Sequence, residues 1–366
     1  MTITIAHSEL TAALTFLART AENRNTIPIL SHVLFRGDGT ILATDLDVEA
    51  FWRLSDCAPH DAFTLPLREL AKVLAGADKG ALAHLTVDPL GGVCEVKCDG
   101  LVSRLDTLPP EDFPTKEHTG GPVFTASFEA QSLRTWLAFV APCISDEVTR
   151  YYLNGVYIHP DAHGRLAFVA TDGHKLGFYP APISWARDRQ EDGVILPTKT
   201  VKILLAHIGA KGAGTVAMGV YKTRIVFTLP GGHVINSHVI DGTFPDYTRV
   251  IPRGGHRLTL DPAVIAKSLK RLDGVRQERA NAVFLDAAEN TLTMRGHTIT
   301  AGILSEPWAG GIGVNVQYFL DAVNTMTALS PGHLHLELGA TGDPFKLSCA
   351  AVGDAFHVLM PMRAYS

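Results

Sequence analysis

The stretch Leu166–Tyr179, LAFVATDGHKLGFY, decides the fold, because a second copy of its pattern stands at Ile41–Phe51, ILATDLDVEAF. Each copy is an alternating apolar run, then Thr-Asp and two residues that suit a turn, then another short apolar run. This pattern is typical of a β-hairpin. A weaker third copy, LTMRGHTITAGI, runs from Leu292 to Ile303, with Gly296-His297 in the place of Gly173-His174. Three copies of one hairpin predict an internal repeat.

Amphipathic helices are predicted on both sides of each hairpin. Leu65-Pro66 and Leu196-Pro197 precede two of them and stand 131 residues apart (196 − 65), and Asn315, a good N-cap, precedes a third. Apolar residues recur at three- and four-residue spacing in the helix that begins each repeat, which is the first, third and fifth of the six segments. The segments are SELTAALTFLARTA, LRELAKVLAGA, EAQSLRTWLAFVAPC, TKTVKILLAHIG, DPAVIAKSLKRLDG and VQYFLDAVNTMTAL.

The repeat predicts an α+β fold of three tandem domains, residues 1–120, 121–252 and 253–366, each with two helices and an antiparallel sheet. The boundaries lie in the turn-rich stretches His118–Pro122 and Ile251–His256. Further support comes from Ser103–Pro114, SRLDTLPPEDFP, which matches Ser237–Tyr247, SHVIDGTFPDY.

Composition narrows the class of protein. Hydrophobic residues make up 46% and charged residues 19% of the 366 residues, as in a folded protein. No apolar run is long enough for a membrane span and the N-terminus does not look like a secretory signal, so we expect a cytosolic protein without a membrane partner. The formal net charge of −5 weighs against DNA binding through an open basic patch.

The five cysteines are scattered, which argues against a disulfide framework. Cys94 and Cys98 lie in the alternating run VCEVKC, so we expect them on one strand face as buried structural residues. No second ligand pair stands at zinc spacing, and no metal site is predicted.

Four segments resemble the bacterial DNA polymerase III β subunit, the sliding-clamp family. They are RYYLNGVYI (Arg150–Ile158), VATDGHKLG (Val169–Gly177), VIDGTFPDYTRVIP (Val239–Pro252) and VLMPMR (Val358–Arg363). The resemblance covers essentially the whole chain. It implies three copies of one clamp domain, two chains joined head to tail into a ring of six domains around duplex DNA, and a processivity role without cofactor or catalysis. The implied partners are DNA, a second copy of the chain, the polymerase III α subunit, the clamp loader, and other polymerases and repair proteins.

The resemblance implies weak, sequence-independent DNA contacts from cations on the inner helices, with Arg24 and Lys199 at matching positions. Tyr151 and Tyr152 match aromatic residues placed where single-stranded template could stack. The alternative for each cation is an ordinary solvated helix charge. The further candidates are Arg19, Arg68, Lys72, Arg134, Lys202, Lys267, Lys270 and Arg271.

A second implied site is a hydrophobic cleft for short linear peptides. Its matching residues are Leu153, Thr171, Gly173, His174, Lys175, Leu176, Pro245, Arg249, Val250, Val358, Leu359, Met360, Pro361, Met362 and Arg363, with Asn315 and Tyr318 at its flank. Flexible methionines suit a surface that accepts several ligands. The alternative for Leu153, Leu176, Val250 and the two methionines is plain core packing.

The chain departs from the family pattern near this cleft. Lys175 stands where arginine is usual, Thr248 where a second basic residue is common, and Ala364-Tyr365-Ser366 extends past the usual end. These changes leave open a specialised second clamp, such as one that confers resistance to a clamp-binding antibiotic.

A less favoured hypothesis is a hydrolase that uses Asp172 and His174, with Asp45 and Asp47 in the first copy. Asp and Gly at these positions also suit a hairpin turn, and no catalytic motif accompanies them.

Overall fold

The computed structural model describes residues 1–22, 26–57, 59–88, 92–115, 120–185, 193–209, 212–277, 281–306, 308–329, 332–339 and 342–363. Within these ranges the chain forms six α-helices and 24 β-strands. The helices are α1 His7–Leu17, α2 Leu67–Leu74, α3 Ala130–Val140, α4 Thr198–Ile208, α5 Pro262–Asp273 and α6 Val316–Leu329. All six predicted helices are therefore confirmed.

The strands pair antiparallel throughout and include the three predicted hairpins, β3–β4, β11–β12 and β19–β20. The strands are β1 Thr2–Ala6, β2 His32–Arg36, β3 Thr40–Thr44, β4 Val48–Arg53, β5 Phe63–Pro66, β6 Leu82–Asp88, β7 Val93–Cys98, β8 Leu101–Asp106, β9 Phe124–Glu129, β10 Gly155–Pro160, β11 Arg165–Thr171, β12 Lys175–Ser184, β13 Val194–Pro197, β14 Thr215–Val220, β15 Arg224–Thr228, β16 Val234–His238, β17 His256–Leu260, β18 Ala282–Asp286, β19 Thr291–Met294, β20 His297–Thr300, β21 Gly311–Asn315, β22 Leu334–Leu338, β23 Phe345–Cys349 and β24 Phe356–Leu359.

The chain divides into two compact units. Unit 1 comprises Met1–Leu133 and Lys202–Val239, and unit 2 comprises Arg134–Val201 and Ile240–Ser366. This division falls inside the predicted central domain, since contacts follow the sheets and not the repeat. The boundaries at residues 120 and 252 stay a prediction.

Unit 1 contains a four-stranded sheet, β1-β6-β7-β8, and an eight-stranded sheet, β5-β2-β3-β4-β16-β15-β14-β9. Cys94 and Cys98 of β7 are both buried, as their spacing predicts. In the eight-stranded sheet, β4 pairs with β16, which comes more than 180 residues later in the chain. That pairing joins β5-β2-β3-β4 to β16-β15-β14-β9, so neither group has a free edge where they meet.

Unit 2 has the same plan. Its eight-stranded sheet runs β13-β10-β11-β12-β24-β23-β22-β17, and β20-β19-β18-β21 forms a four-stranded sheet. Here β12 pairs with β24, the last strand of the chain. Helices α5 and α6 pack together, with Leu269, Leu272 and Phe319 buried.

The hairpin turn of unit 2 is built by two side chains. The Asp172 carboxylate accepts hydrogen bonds from the backbone N–H groups of His174 and Lys175, each at 2.8 Å. The Thr171 hydroxyl donates to the Lys175 carbonyl at 2.8 Å and accepts from the Gly173 N–H at 3.1 Å. Asp172 therefore holds turn geometry, which is the structural alternative to the hydrolase hypothesis.

Helix starts follow the sequence signals. The Asn315 side chain accepts from the N–H groups of Gln317 at 3.0 Å and Tyr318 at 3.3 Å, which confirms the predicted cap of α6. Asp261 caps α5 by accepting from Ala263 and Val264. In the described part of the chain, no helix is long and apolar enough to cross a membrane.

Replacing Asp261 by alanine should lower the free energy of unfolding by about 1 kcal/mol, because two backbone N–H groups lose their acceptor. Asp261→Asn, which keeps a side-chain oxygen, is the matched control and should lie close to wild type. Urea unfolding followed by circular dichroism measures both. Equal losses in the two variants would show that the cap oxygen is not the cause.

Candidate functional site

A cavity of about 270 Å³ opens in unit 2 beside the Thr171–Leu176 hairpin. Its floor is apolar, since Leu153, Leu176 and Val358 are all buried there. The residues that line it are Arg150, Tyr152, Leu153, Thr171, Gly173, His174, Lys175, Leu176, Pro245, Asp246, Tyr247, Val250, Val358 and Met360. A mostly apolar, concave surface with a few polar groups at its rim is the usual form of a ligand site.

Strand pairing positions the floor of this cavity. Leu176 of β12 lies directly opposite Val358 of β24, and both belong to one buried cluster with Leu153. Beyond the end of β24, the Met360 N–H still donates to the His174 carbonyl at 2.9 Å. This hydrogen bond holds Met360 against the hairpin turn.

Gly173 is required at the cavity rim for two reasons. Its φ of +88° lies in the left-handed region that favours glycine. A Cβ atom there would also lie 2.6 Å from Nη1 of Arg150, whose side chain crosses the turn. Arg150 itself forms an ion pair with Glu147.

The cations around the cavity are paired with nearby carboxylates. The Lys175 ammonium lies 2.9 Å from the Asp172 carboxylate and 4.2 Å from the centre of the Tyr318 ring, and only 13% of its side chain is exposed. Burial acts to lower the pKa of Lys175, but the hydrogen bond and charge of Asp172 outweigh it and hold that pKa above its ordinary value. Arg249 is paired with Asp246 at 3.0 Å. Arg150 and Lys175 thus line the cavity as members of ion pairs.

A buried polar pair links β24 to the short turn Ala141–Cys143 that follows α3. The His357 ring is 1% exposed, and its Nδ1 lies 3.6 Å from the Cys143 sulfur. Burial lowers the pKa of His357 to about 4 and raises the pKa of the Cys143 thiol. The histidine is therefore neutral at physiological pH, and the cysteine is an inert thiol.

Two wider depressions, of about 690 and 460 Å³, border the same Tyr247–Val250 segment. Charged groups contribute to both: Arg253 and Asp343 in the first, and Arg165 and Asp354 in the second. We take the smaller cavity as the candidate site, because its floor is apolar and the predicted cleft residues converge on it.

The structure brings together ten of the predicted cleft residues. They are Leu153, Thr171, Gly173, His174, Lys175, Leu176, Pro245, Val250, Val358 and Met360. Outside the cavity lining lie Arg249, Asn315, Tyr318, Leu359, Pro361, Met362 and Arg363. Leu359 is buried, whereas Met362 is exposed. The extension Ala364-Tyr365-Ser366 lies outside the described residues.

Sequence reasoning missed three residues of the lining, Arg150, Asp246 and Tyr247. All three lie inside segments that carry the family resemblance, Arg150–Ile158 and Val239–Pro252, and that membership was the available signal. Tyr152, one of the predicted DNA-contacting residues, is half-buried in the cavity wall, while the Tyr151 side chain is 54% exposed.

The predicted DNA-contacting cations lie mostly on exposed helix faces. Arg68 and Lys72 are four residues apart on α2, and Lys267 and Arg271 are four apart on α5, so each pair shares a face. The exposed candidates are Arg19, Arg68, Lys72, Lys202, Lys267, Lys270 and Arg271, while Arg134 and Lys199 are half-buried. Arg24 lies outside the described residues. Among the residues that are described, no cluster of three or more His, Cys, Asp or Glu could hold a metal ion.

The buried His357 predicts a pH-dependent loss of stability. Its folded-state pKa of about 4 lies below the ordinary 6.5, so unfolding takes up a proton between these values. The contribution of neutral His357 to the free energy of unfolding is complete above about pH 6.5 and falls as the pH drops toward 4. We expect His357→Gln to be less stable than wild type at neutral pH, with the difference shrinking by a few kcal/mol toward pH 4. Urea unfolding across this range measures it, and a constant difference would contradict it.

Comparison with known proteins places this geometry in a family. The family model described as "DNA polymerase III beta subunit, central domain" matches residues 127–246. The beta sliding clamp of Pseudomonas putida is 31% identical over 378 residues, which span 99% of this chain and all of the relative. The DNA polymerase III subunit beta of Bartonella birtlesii, solved bound to griselimycin, superposes with a TM-score of 0.88 at 30% identity. The DNA polymerase sliding clamp of Caulobacter crescentus superposes with a TM-score of 0.85 at 30% identity. Both superpositions cover the full length of both chains. The chain therefore belongs to the bacterial beta sliding clamp family: it has the α+β clamp fold and is a non-catalytic DNA polymerase III subunit that confers processivity as a DNA sliding clamp.

Proposed function

We propose that two copies of this chain join head to tail into a closed ring around duplex DNA. The observation that carries the proposal is the pair of sheet edges at β8 in unit 1 and β20 in unit 2. Strand β8 exposes two neighbouring apolar side chains, Leu101 at 49% and Val102 at 54%. An exposed apolar edge strand is a template for pairing with another chain. Pairing β8 of one copy with β20 of the other uses a different surface on each copy and closes after two.

Enclosure explains how a chain with a net charge of −5 holds DNA. The exposed cations on α2 and α5 supply a sequence-independent attraction to phosphates. Within the described residues, none of the seven exposed candidates lies within ion-pair distance of a carboxylate, so each is available to a phosphate. Weak attraction inside a closed ring permits sliding, whereas strong phosphate contacts would resist it.

The dimer is tested by changing the exposed edge. Sedimentation of wild type should give the mass of two 39.4 kDa chains, and Leu101→Asp with Val102→Asp should give one, because two charges replace apolar contacts. Val148→Asp, at a side chain 85% exposed in unit 2, is the control and should remain dimeric. A monomeric wild type at micromolar concentration would count against the ring.

Topological binding has its own test. After loading onto nicked circular DNA by a clamp loader, the protein should stay bound through gel filtration and be released when the circle is cut. Equal retention on circular and linear DNA would show that affinity and not enclosure holds the clamp.

We also assign the 270 Å³ cavity of unit 2 as the docking site for short apolar peptide segments of the polymerase α subunit, the clamp loader and other polymerases or repair proteins. Its support is the buried floor of Leu153, Leu176 and Val358 beneath a rim of paired charges. A few apolar anchors in such a pocket carry most of the binding energy.

Replacing Met360 by aspartate should weaken binding of a polymerase-derived peptide at least thirtyfold, about 2 kcal/mol, because a charge enters the apolar wall. Val148→Asp, outside the cavity lining, serves as the matched control and should bind as wild type does. Fluorescence anisotropy measures both affinities. Unchanged affinity in Met360→Asp would remove the cavity from the proposal.

A further inference from the structure

The eight-stranded sheets of the two units correspond strand for strand. Strands β2 to β5 of unit 1 take the places of β10 to β13 in unit 2, and β16 takes the place of β24. The correspondence is exact in register near the cavity. Glu49 of β4 lies opposite Asn236 of β16, and Leu176 of β12 lies opposite Val358 of β24.

The hairpin turns of the two units also share their hydrogen bonds. The Asp45 carboxylate accepts from the N–H groups of Asp47 at 3.0 Å and Val48 at 2.7 Å, as Asp172 does in unit 2. The His238 N–H donates to the Asp47 carbonyl at 2.8 Å, as the Met360 N–H does to His174 at 2.9 Å. Unit 1 thus repeats the hairpin and strand-pairing backbone that borders the cavity of unit 2.

The side chains on that framework differ where the cleft has its floor. Glu49 and Asn236 are 5% and 6% exposed, and the Asn236 amide donates to the Glu49 carboxylate at 2.7 Å. They occupy the positions that Leu176 and Val358 hold in unit 2. A hydrogen-bonded polar pair therefore stands in unit 1 where unit 2 offers two aliphatic side chains, so an apolar peptide group finds no apolar floor to pack on.

The rim differs as well. Leu46 stands at the position of Gly173, and it keeps the same left-handed backbone, with φ +80° against +88°. A leucine rarely adopts this conformation. Its side chain stands where the unit 2 rim has none.

We propose that Leu46, Glu49 and Asn236 determine that unit 1 does not accept the apolar peptide that unit 2 binds. This inference rests on the proposed peptide-binding function of unit 2. The hairpin backbone is common to both units, and these side chains, with His238 in the place of Met360, set the specificity.

The test transfers the unit 2 residues into unit 1. A variant with Leu46→Gly, Glu49→Leu, Asn236→Val and His238→Met should bind two polymerase-derived peptides per chain by isothermal titration calorimetry, where wild type binds one. Adding Met360→Asp should reduce this number to one and reduce wild type to none. A wild-type protein with no binding would contradict the peptide function itself. A folded variant that still binds one peptide, or a wild type that binds two, would overturn the inference.

A reciprocal variant tests the same proposal if the first variant does not fold. Leu176→Glu with Val358→Asn places the polar pair in unit 2 and should abolish peptide binding. Leu176→Glu alone leaves a buried carboxylate without its amide, so its melting temperature should fall and the double variant should recover part of the loss. Retained peptide binding by the double variant would refute the assigned role of the pair.

Discussion

The pairing of β12 with β24 is the interaction on which the cavity of unit 2 depends. It joins the hairpin at Leu176 to the last strand of the chain, and it continues a sheet that would otherwise expose two edges. The same pairing sets Leu176 against Val358 as the cavity floor and holds Met360 beside the turn. The segment from Phe356 to Met360 thereby becomes part of the cavity wall.

Charge is used differently in the two proposed functions. Around the cavity, Lys175 is paired with Asp172 and Arg150 with Glu147, so these charges are held in ion pairs. On the helices, cations such as Lys72 and Lys267 are exposed and face solvent. In these proposals, recognition of peptides depends on buried apolar area, whereas the hold on DNA depends on enclosure and diffuse attraction.

Comparison of the repeated hairpins distinguishes residues with the same structural role in both units from residues that differ between the units. Asp45 and Asp172 make the same hydrogen bonds to the turn, which gives these carboxylates a structural role in both units and leaves the hydrolase hypothesis without support. The paired residues next to the turns, Glu49 with Asn236 and Leu176 with Val358, differ in polarity. The two units therefore share the backbone of the hairpin, while the side chains next to the turn differ between them.

The sequence by itself determined the six helices, the three hairpins and the Asn315 cap, because each follows from local periodicity or a local side-chain hydrogen bond. The family resemblance named the residues around the cleft, and ten of them line the cavity. Only the tertiary structure decided which ones. Met360 and Met362 stand in similar sequence surroundings, but strand β24 ends at Leu359. The backbone N–H of Met362 donates to the Gly313 carbonyl at 2.7 Å, and its side chain is exposed. Tyr247 enters the lining from a short 3-10 segment far from the hairpin in sequence. Such placements depend on strand pairing between distant segments, which no local pattern encodes.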